Sequence, residues 1–167
     1  MEKPIPAGEA TIARGPVALC ILADTHGLLR DEVRAELERA DMILHAGDFD
    51  SATVLEELRR YGPLYAVRGN NDRFAGADGL PLSLPFTVGG VRFRMAHNRQ
   101  DLPREPADID VMIYGHSHRY AAEVLDGTLY LNPGSCGKRR FGLGLSLCRM
   151  VVADGGFRLE RIEIAPG

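Results

Sequence analysis

The chain has 167 residues, 45% of them apolar, and carries a formal charge of −3 with an isoelectric point near 5.9. That length suits one domain with a real core, and the acidic balance excludes a global attraction to nucleic acid or to an anionic membrane surface. No run of about 18 apolar residues and no signal-peptide pattern occurs, which excludes a helical membrane span and makes a cytoplasmic setting the expectation. Cys20, Cys136 and Cys148 are an odd number, far apart and without a CxxC pair. They suit a reducing compartment and supply no structural zinc site.

Residues 1–15 are rich in Pro, Gly and Ala and lack periodicity, so a loose leader is expected there, with a single domain over residues 16–167. The apolar run 17–23 predicts a strand buried on both faces. Leu29, Val33, Leu37 and Ala40 then recur at spacings of four, four and three, the stripe of an amphipathic helix. A second strand is predicted over 42–46. A second helix follows, capped by Asp50 or Ser51, with Val54, Leu55, Leu58 and Tyr61 on its apolar face. A third strand at 64–67 completes a strand–helix alternation that favours parallel pairing with right-handed crossovers.

Beyond residue 80 the pattern changes. Runs 86–88 and 91–95 flank Gly89-Gly90, and runs 122–125 and 128–131 flank Asp126-Gly127. Runs 143–152 and 157–164 flank Asp154-Gly155-Gly156. Each is a hairpin signal, and 111–114 reads as one further buried strand. The expectation is an α/β domain of two packed sheets, parallel early and antiparallel late.

Polar residues that do not fit a core follow five of these strands. They are Asp24 and His26, Asp48, Asn70 and Asp72 within GNND, His97, and His116 and His118 within GHSH. Ligand crevices form at the carboxyl edge of such sheets, so four of the five histidines, two aspartates and an asparagine are expected to converge. Oxygen and imidazole donors without thiolate suit transition metals better than Ca²⁺. There are too many donors for one tetrahedral ion, and a two-metal site uses them all. Two dications facing two aspartates and a hydroxide leave a net positive site, which suits a phosphodiester monoanion.

In this order, D-x-H, GD, GN-x-D, a lone His and GH-x-H resemble the calcineurin-like metallophosphoesterase superfamily. HAGD at 45–48, GNND at 69–72 and NPGS at 132–135 are similar to its compact bacterial and archaeal phosphodiesterase branch, to which the retromer scaffold subunit is related. The resemblance runs from Val17 to the C-terminus. It implies a four-layer αββα sandwich, two mixed β-sheets flanked by helices, with a binuclear centre. The first ion would take Asp24, His26, Asp48 and His118. The second would take Asp48, Asn70, His97 and His116, with Asp48 bridging. The implied cofactors are two divalent ions, manganese first, with iron, nickel, zinc or magnesium as alternatives. The implied reaction is hydrolysis of a small phosphate ester, a diester first, by in-line attack of a hydroxide held between the ions.

Three positions depart from the pattern. Asn71 stands where the superfamily carries a histidine thought to protonate the leaving group, and an amide is no acid near neutral pH. Asn98 replaces the glycine usual after the lone histidine, and Arg139 replaces a proline within Lys138-Arg139-Arg140. Asn71 and Asp72 take the catalytic positions of the GNND motif, Asp72 to orient a ligand or cap the turn. Arg73, Arg139 and Arg140 are the candidate substrate contacts, against the plainer reading of surface charge. His45 reads as a core or second-sphere histidine, and Asn132 and Ser135 as shapers of a turn near the site. Two other functional classes fit the same fold: a protein-binding scaffold with weakened metal ligation, and a nuclease, against which the acidic charge argues.

Overall fold

The computed structural model describes residues 15–165, so the expected leader lies outside the described residues but for Gly15. Alternation along β1 (Val17–Leu22) sorts its side chains. Val17, Leu19 and Ile21 enter one apolar cluster, Cys20 and Leu22 another. β1 pairs in parallel with β2 (Met42–His45), which pairs in parallel with β3 (Leu64–Ala66). The crossovers are α1 (Asp31–Glu38) and α2 (Ala52–Arg59), which bury Val33 and Leu37, and Val54, Leu55 and Leu58, in the same cluster as Cys20 and Leu22. Both helices therefore cover one face of this sheet. Ser51 caps α2, its hydroxyl accepting from the Thr53 amide at 3.1 Å, as expected. Helix α1 is shorter than its apolar stripe: Leu29 precedes it and Ala40 follows it, yet both pack in the cluster beneath.

The second sheet contains β4 (Ser83–Val88), β5 (Val91–Ala96), β6 (Val111–Ile113), β7 (Ala121–Leu125) and β8 (Thr128–Asn132), in the order β4-β5-β6-β8-β7. The hairpins β4–β5 and β7–β8 are antiparallel, as the glycine turns predicted. Antiparallel pairing is thus found late in the chain, but β6 is parallel to both β5 and β8, so this sheet is mixed, as the resemblance implied. The connection from 97 to 110 carries the chain back to the start of the sheet before β6 begins, so β6 cannot run against β5. The last hairpin, β9 (Leu145–Ala153) with β10 (Gly156–Ile164), leaves this sheet altogether. β9 pairs antiparallel with β1, giving the order β10-β9-β1-β2-β3.

Between the sheets, Leu19, Ile21 and Leu44 meet Phe86, Phe93, Met95, Ile113 and Leu131 in one buried cluster. Phe86 stacks on Phe93 at 4.9 Å and takes the edge of Tyr65 at 4.8 Å. The outer face of the second sheet is covered thinly, by the 3-10 turn Arg99–Asp101 and Leu102 over Met112, Tyr114 and Tyr130. Two mixed sheets flanked by helical layers make the expected αββα sandwich, with its fourth layer reduced to that turn. Among the described residues no helix is long and apolar enough to cross a membrane. The three cysteines are free and buried, and burial pushes the Cys136 and Cys148 thiols up to about 12.

Candidate metal centre

Five chain segments leave their strands at one edge, and each delivers its polar residues there. Asp24 and His26 follow β1, Asp48 follows β2, Asn70 follows β3, His97 follows β5, and His116 and His118 follow β6. Asp24, His26, Asp48, Asp50, His116 and His118 all have positive φ, between 47° and 74°. Residues with a Cβ avoid this region, and such strain persists only where the surroundings over-determine it. Here the backbone does so. The Asp24 amide donates to Gly47 O at 3.0 Å, the His26 amide to Asp48 O at 3.0 Å, and the Gly115 amide to His97 O at 2.9 Å.

The side chains then close on one another. His26 Nε2 and His118 Nε2 are 3.1 Å apart, and Asp24 Oδ1 lies 3.7 and 3.6 Å from them. Asp48 Oδ2 is 3.7 Å from His26 Nε2 and 3.2 Å from His97 Nε2, so one carboxylate oxygen faces both histidines. His116 Nδ1 lies 3.2 Å from Asn70 Oδ1 on the exposed rim, with the His116 ring 5.2 Å from that of His97. Donors sharing an ion at about 2.1 Å stand about 3.0–3.4 Å apart at octahedral to tetrahedral angles, so these spacings fit bound cations.

Hydrogen bonding points the same way. His97 Nδ1 donates to Ala46 O at 2.7 Å, so in the neutral ring, the form that binds metal, Nε2 is left as an acceptor facing the Asp48 carboxylate. Asp24 Oδ1 and His97 Nε2 are buried without a hydrogen-bond partner. With the ring neutral these two buried acceptors, 3.9 Å apart, repel unless a cation lies between them. Burial works against the imidazolium forms of His26 and His97, but the neighbouring carboxylates outweigh it and raise both. Burial likewise pushes Asp48 up, and His97 with the Asn71 amide more than reverses this, holding it at about 2. His118 is lowered by burial, and the charge of Arg140 adds to this.

A second set of residues holds the ligands in place. The Asp72 carboxylate accepts from the amides of Asp48, Phe49, Asp50 and Gly69 at 2.7–3.0 Å. It is engaged with backbone on both sides, and so ties the loop after β2 to the loop after β3. Asn71 donates its backbone amide to Asp48 Oδ1 at 2.9 Å and its side-chain amide to Oδ2 at 3.2 Å. Asn132 Nδ2 donates to Gly115 O, and Ser135 Oγ to Asp24 O at 3.0 Å, bracing the GHSH and D-x-H loops. His45 bonds Thr25 Oγ1 and the Gly47 amide, stacks on Phe49, and is driven down to about 3 by burial. Gly69 is dictated by close approach, since a Cβ there would sit inside the Asp48 carboxylate. Asn98, the departure after His97, caps the 3-10 turn by accepting from the Gln100 amide at 3.1 Å.

Asp50 was missed as a site residue. Its carboxylate lies 2.8 Å from His26 Nδ1, the partner that fixes a ligating imidazole with Nε2 free. The repeated aspartate in GDFD was the signal available, and it was read only as a helix cap. Of the substrate candidates, Lys138, Arg139 and Arg140 are exposed on the loop after NPGS, and Arg140 is near enough for its charge to act on His118. Arg73 is exposed beside Asp72. Phe141, which carries no sequence signal of its own, stands next to Arg140 with its ring 5.5 Å from that of His118.

A mixed-sheet sandwich with histidines and carboxylates converging at one strand edge defines a class of α/β proteins with a candidate metal site. The profile of the Calcineurin-like phosphoesterase superfamily domain matches residues 17–155, and the chain belongs to that superfamily. A probable metallophosphoesterase of Methanothermobacter thermautotrophicus is 31% identical over 130 residues, 69% of this chain and 74% of that protein. A phosphodiesterase of Methanocaldococcus jannaschii is 28% identical over 136 residues, 70% of this chain and 82% of its own length. The solved structure of Vacuolar Protein Sorting 29 from Cryptosporidium parvum superposes with a TM-score of 0.71 at 20% identity, covering 90% of this chain and 99% of that one.

Proposed function

We propose that this chain is a binuclear metal-dependent phosphodiesterase acting on a small phosphodiester. The observation that carries the reading is the pair of buried, unpartnered acceptors, Asp24 Oδ1 and His97 Nε2, beside two imidazole nitrogens 3.1 Å apart. Asp24, His26, Asp48 and His118 would hold one ion, and Asp48, Asn70, His97 and His116 the other, with manganese taken first because the family resemblance implies it. Such ions, when bound, act as Lewis acids toward phosphoryl oxygens and lower the pKa of water, which provides the nucleophile.

The chain's own residues do the rest. Asp48 sits between the two groups and fixes their separation. Asp50 keeps His26 Nδ1 protonated and Nε2 free. Asp72 and Asn71 hold the Asp48 loop, so the ligands need little rearrangement before substrate arrives. Lys138, Arg139 and Arg140 supply local positive charge to an acidic protein, and a phosphate monoanion is drawn toward it.

The likeness to a vacuolar sorting protein favours a second reading, a protein-binding scaffold on the same fold. The intact ligand set stands against it. Metal analysis combined with a panel of phosphodiesters and phosphomonoesters is the test. Two bound ions per chain with diester turnover support the enzyme. Neither metal uptake nor turnover would leave the scaffold.

A further inference from the structure

Phe141 is an anomaly of local conformation. It is 77% exposed, the most exposed large apolar side chain among the described residues. Its φ is +59°, followed by Gly142 at +65°, and the Leu143 amide closes the turn on Arg140 O at 3.1 Å. Turns with two successive left-handed residues select Gly, Asn or Asp, and a bulky aromatic there is an outlier. Burial does not compensate for it, because the ring faces solvent. The loop base is nonetheless anchored. Arg30 Nε donates to Gly137 O at 2.9 Å, and Gly137 packs so closely on the Thr25 carbonyl that a Cβ would not fit.

The ring is also directed. It meets His118 edge-on, with centroids 5.5 Å apart and planes at 68°, and it follows directly on the exposed Lys138, Arg139 and Arg140. An exposed flat apolar surface and the charge of Arg140 therefore border the same candidate ligand histidine. A phosphate ester reaching the centre would lie near Arg140, and a group carried by its phosphate would reach the ring. A planar heteroaromatic base matches that surface, since every base offers a face for stacking.

We infer that Phe141 is a stacking platform for the base of the substrate and that the preferred substrates are nucleoside phosphodiesters. This rests on the phosphodiesterase reading and narrows it to a substrate class. Phe141 acts on specificity, by binding the group that does not leave.

The test compares two diesters with one leaving group, thymidine 5′-(4-nitrophenyl phosphate) and methyl 4-nitrophenyl phosphate, on the manganese-loaded full chain. Base stacking predicts kcat/KM higher for the nucleoside ester by about 5- to 150-fold, carried by KM. Phe141→Ala should reduce that ratio toward one, and Phe141→Trp should keep it. Phe141→Gly should lose the preference with a melting temperature equal to or above that of the parent, because glycine suits the turn. Calorimetric titration with thymidine 5′-monophosphate and with methyl phosphate gives the same comparison without turnover. Turnover of both esters at equal kcat/KM, or an equal loss on both in Phe141→Ala, overturns the role of Phe141 alone. Preferential binding of the nucleotide without turnover of either ester would overturn the phosphodiesterase reading and keep the platform.

Discussion

Asp48 presents one oxygen to His97 at 3.2 Å and to His26 at 3.7 Å, and this shared atom makes a sharp prediction at the residue scale. Asp48→Ala should abolish activity and lower metal content at both positions. His118→Ala should empty chiefly one position and His97→Ala the other, read by metal analysis after dialysis. Two tightly held ions in Asp48→Ala would remove it from the bridging role. Asn71 carries a second expectation. It steadies Asp48 through its amides and has no acidic proton, so the departing oxygen leaves as an anion or takes a proton from water. Rates should therefore depend steeply on leaving-group pKa, fast for aryl diesters and slow for alkyl ones. General-acid catalysis is worth about 10²–10⁴-fold, and Asn71→His should recover part of this for the poorest leaving groups. A parent enzyme indifferent to leaving-group pKa in its chemical step would show that another acid operates.

At the scale of elements, the loops after β2 and β3 act as one unit because Asp72 ties them. Four backbone amides converge on its carboxylate, from Asp48, Phe49 and Asp50 on one loop and Gly69 on the other. Asp72→Asn keeps the shape but turns a donor toward buried donors. The expected cost is about 3 kcal/mol, seen as a melting point lower by roughly 6–12 °C, with weaker metal binding as well. A variant with parental melting point and metal content would mean that the ligand loops hold themselves.

For the whole molecule, an ion held at the proposed centre would cross-link the two sheets, since His26 follows β1 of one sheet and His118 follows β6 of the other. An ion bound only by the folded state at about 100 times its dissociation constant adds about 2.7 kcal/mol. Manganese should therefore raise the melting temperature. The pH dependence has a definite sign. A histidine ligates only when neutral, and nearby carboxylates raise His26 and His97 above the usual 6.5. The metal-induced rise should be full at alkaline pH and shrink as pH falls through those raised values. A rise undiminished at pH 5 would count against both histidines as ligands.

Much of this protein is written in short-range chemistry. The Asp126-Gly127 and Asp154-Gly155 turns, the Ser51 cap, the apolar stripes of both helices and the five polar clusters after strands each depend on neighbours a few residues away, and each was legible. The convergence of the candidate ligands was legible for the same reason, because each sits where a strand ends. Four things were decided only in three dimensions: the parallel entry of β6, the departure of β9 and β10 to the first sheet, the engagement of Asp72 with four amides, and the hold of Asp50 on His26. Pairing partners are chosen by which apolar faces are left to bury, and hydrogen bonds across 22 to 111 residues depend on where loops end up. Local sequence thus determined which polar side chains stand at the strand ends, and the packing of the two sheets decided which of their atoms face each other.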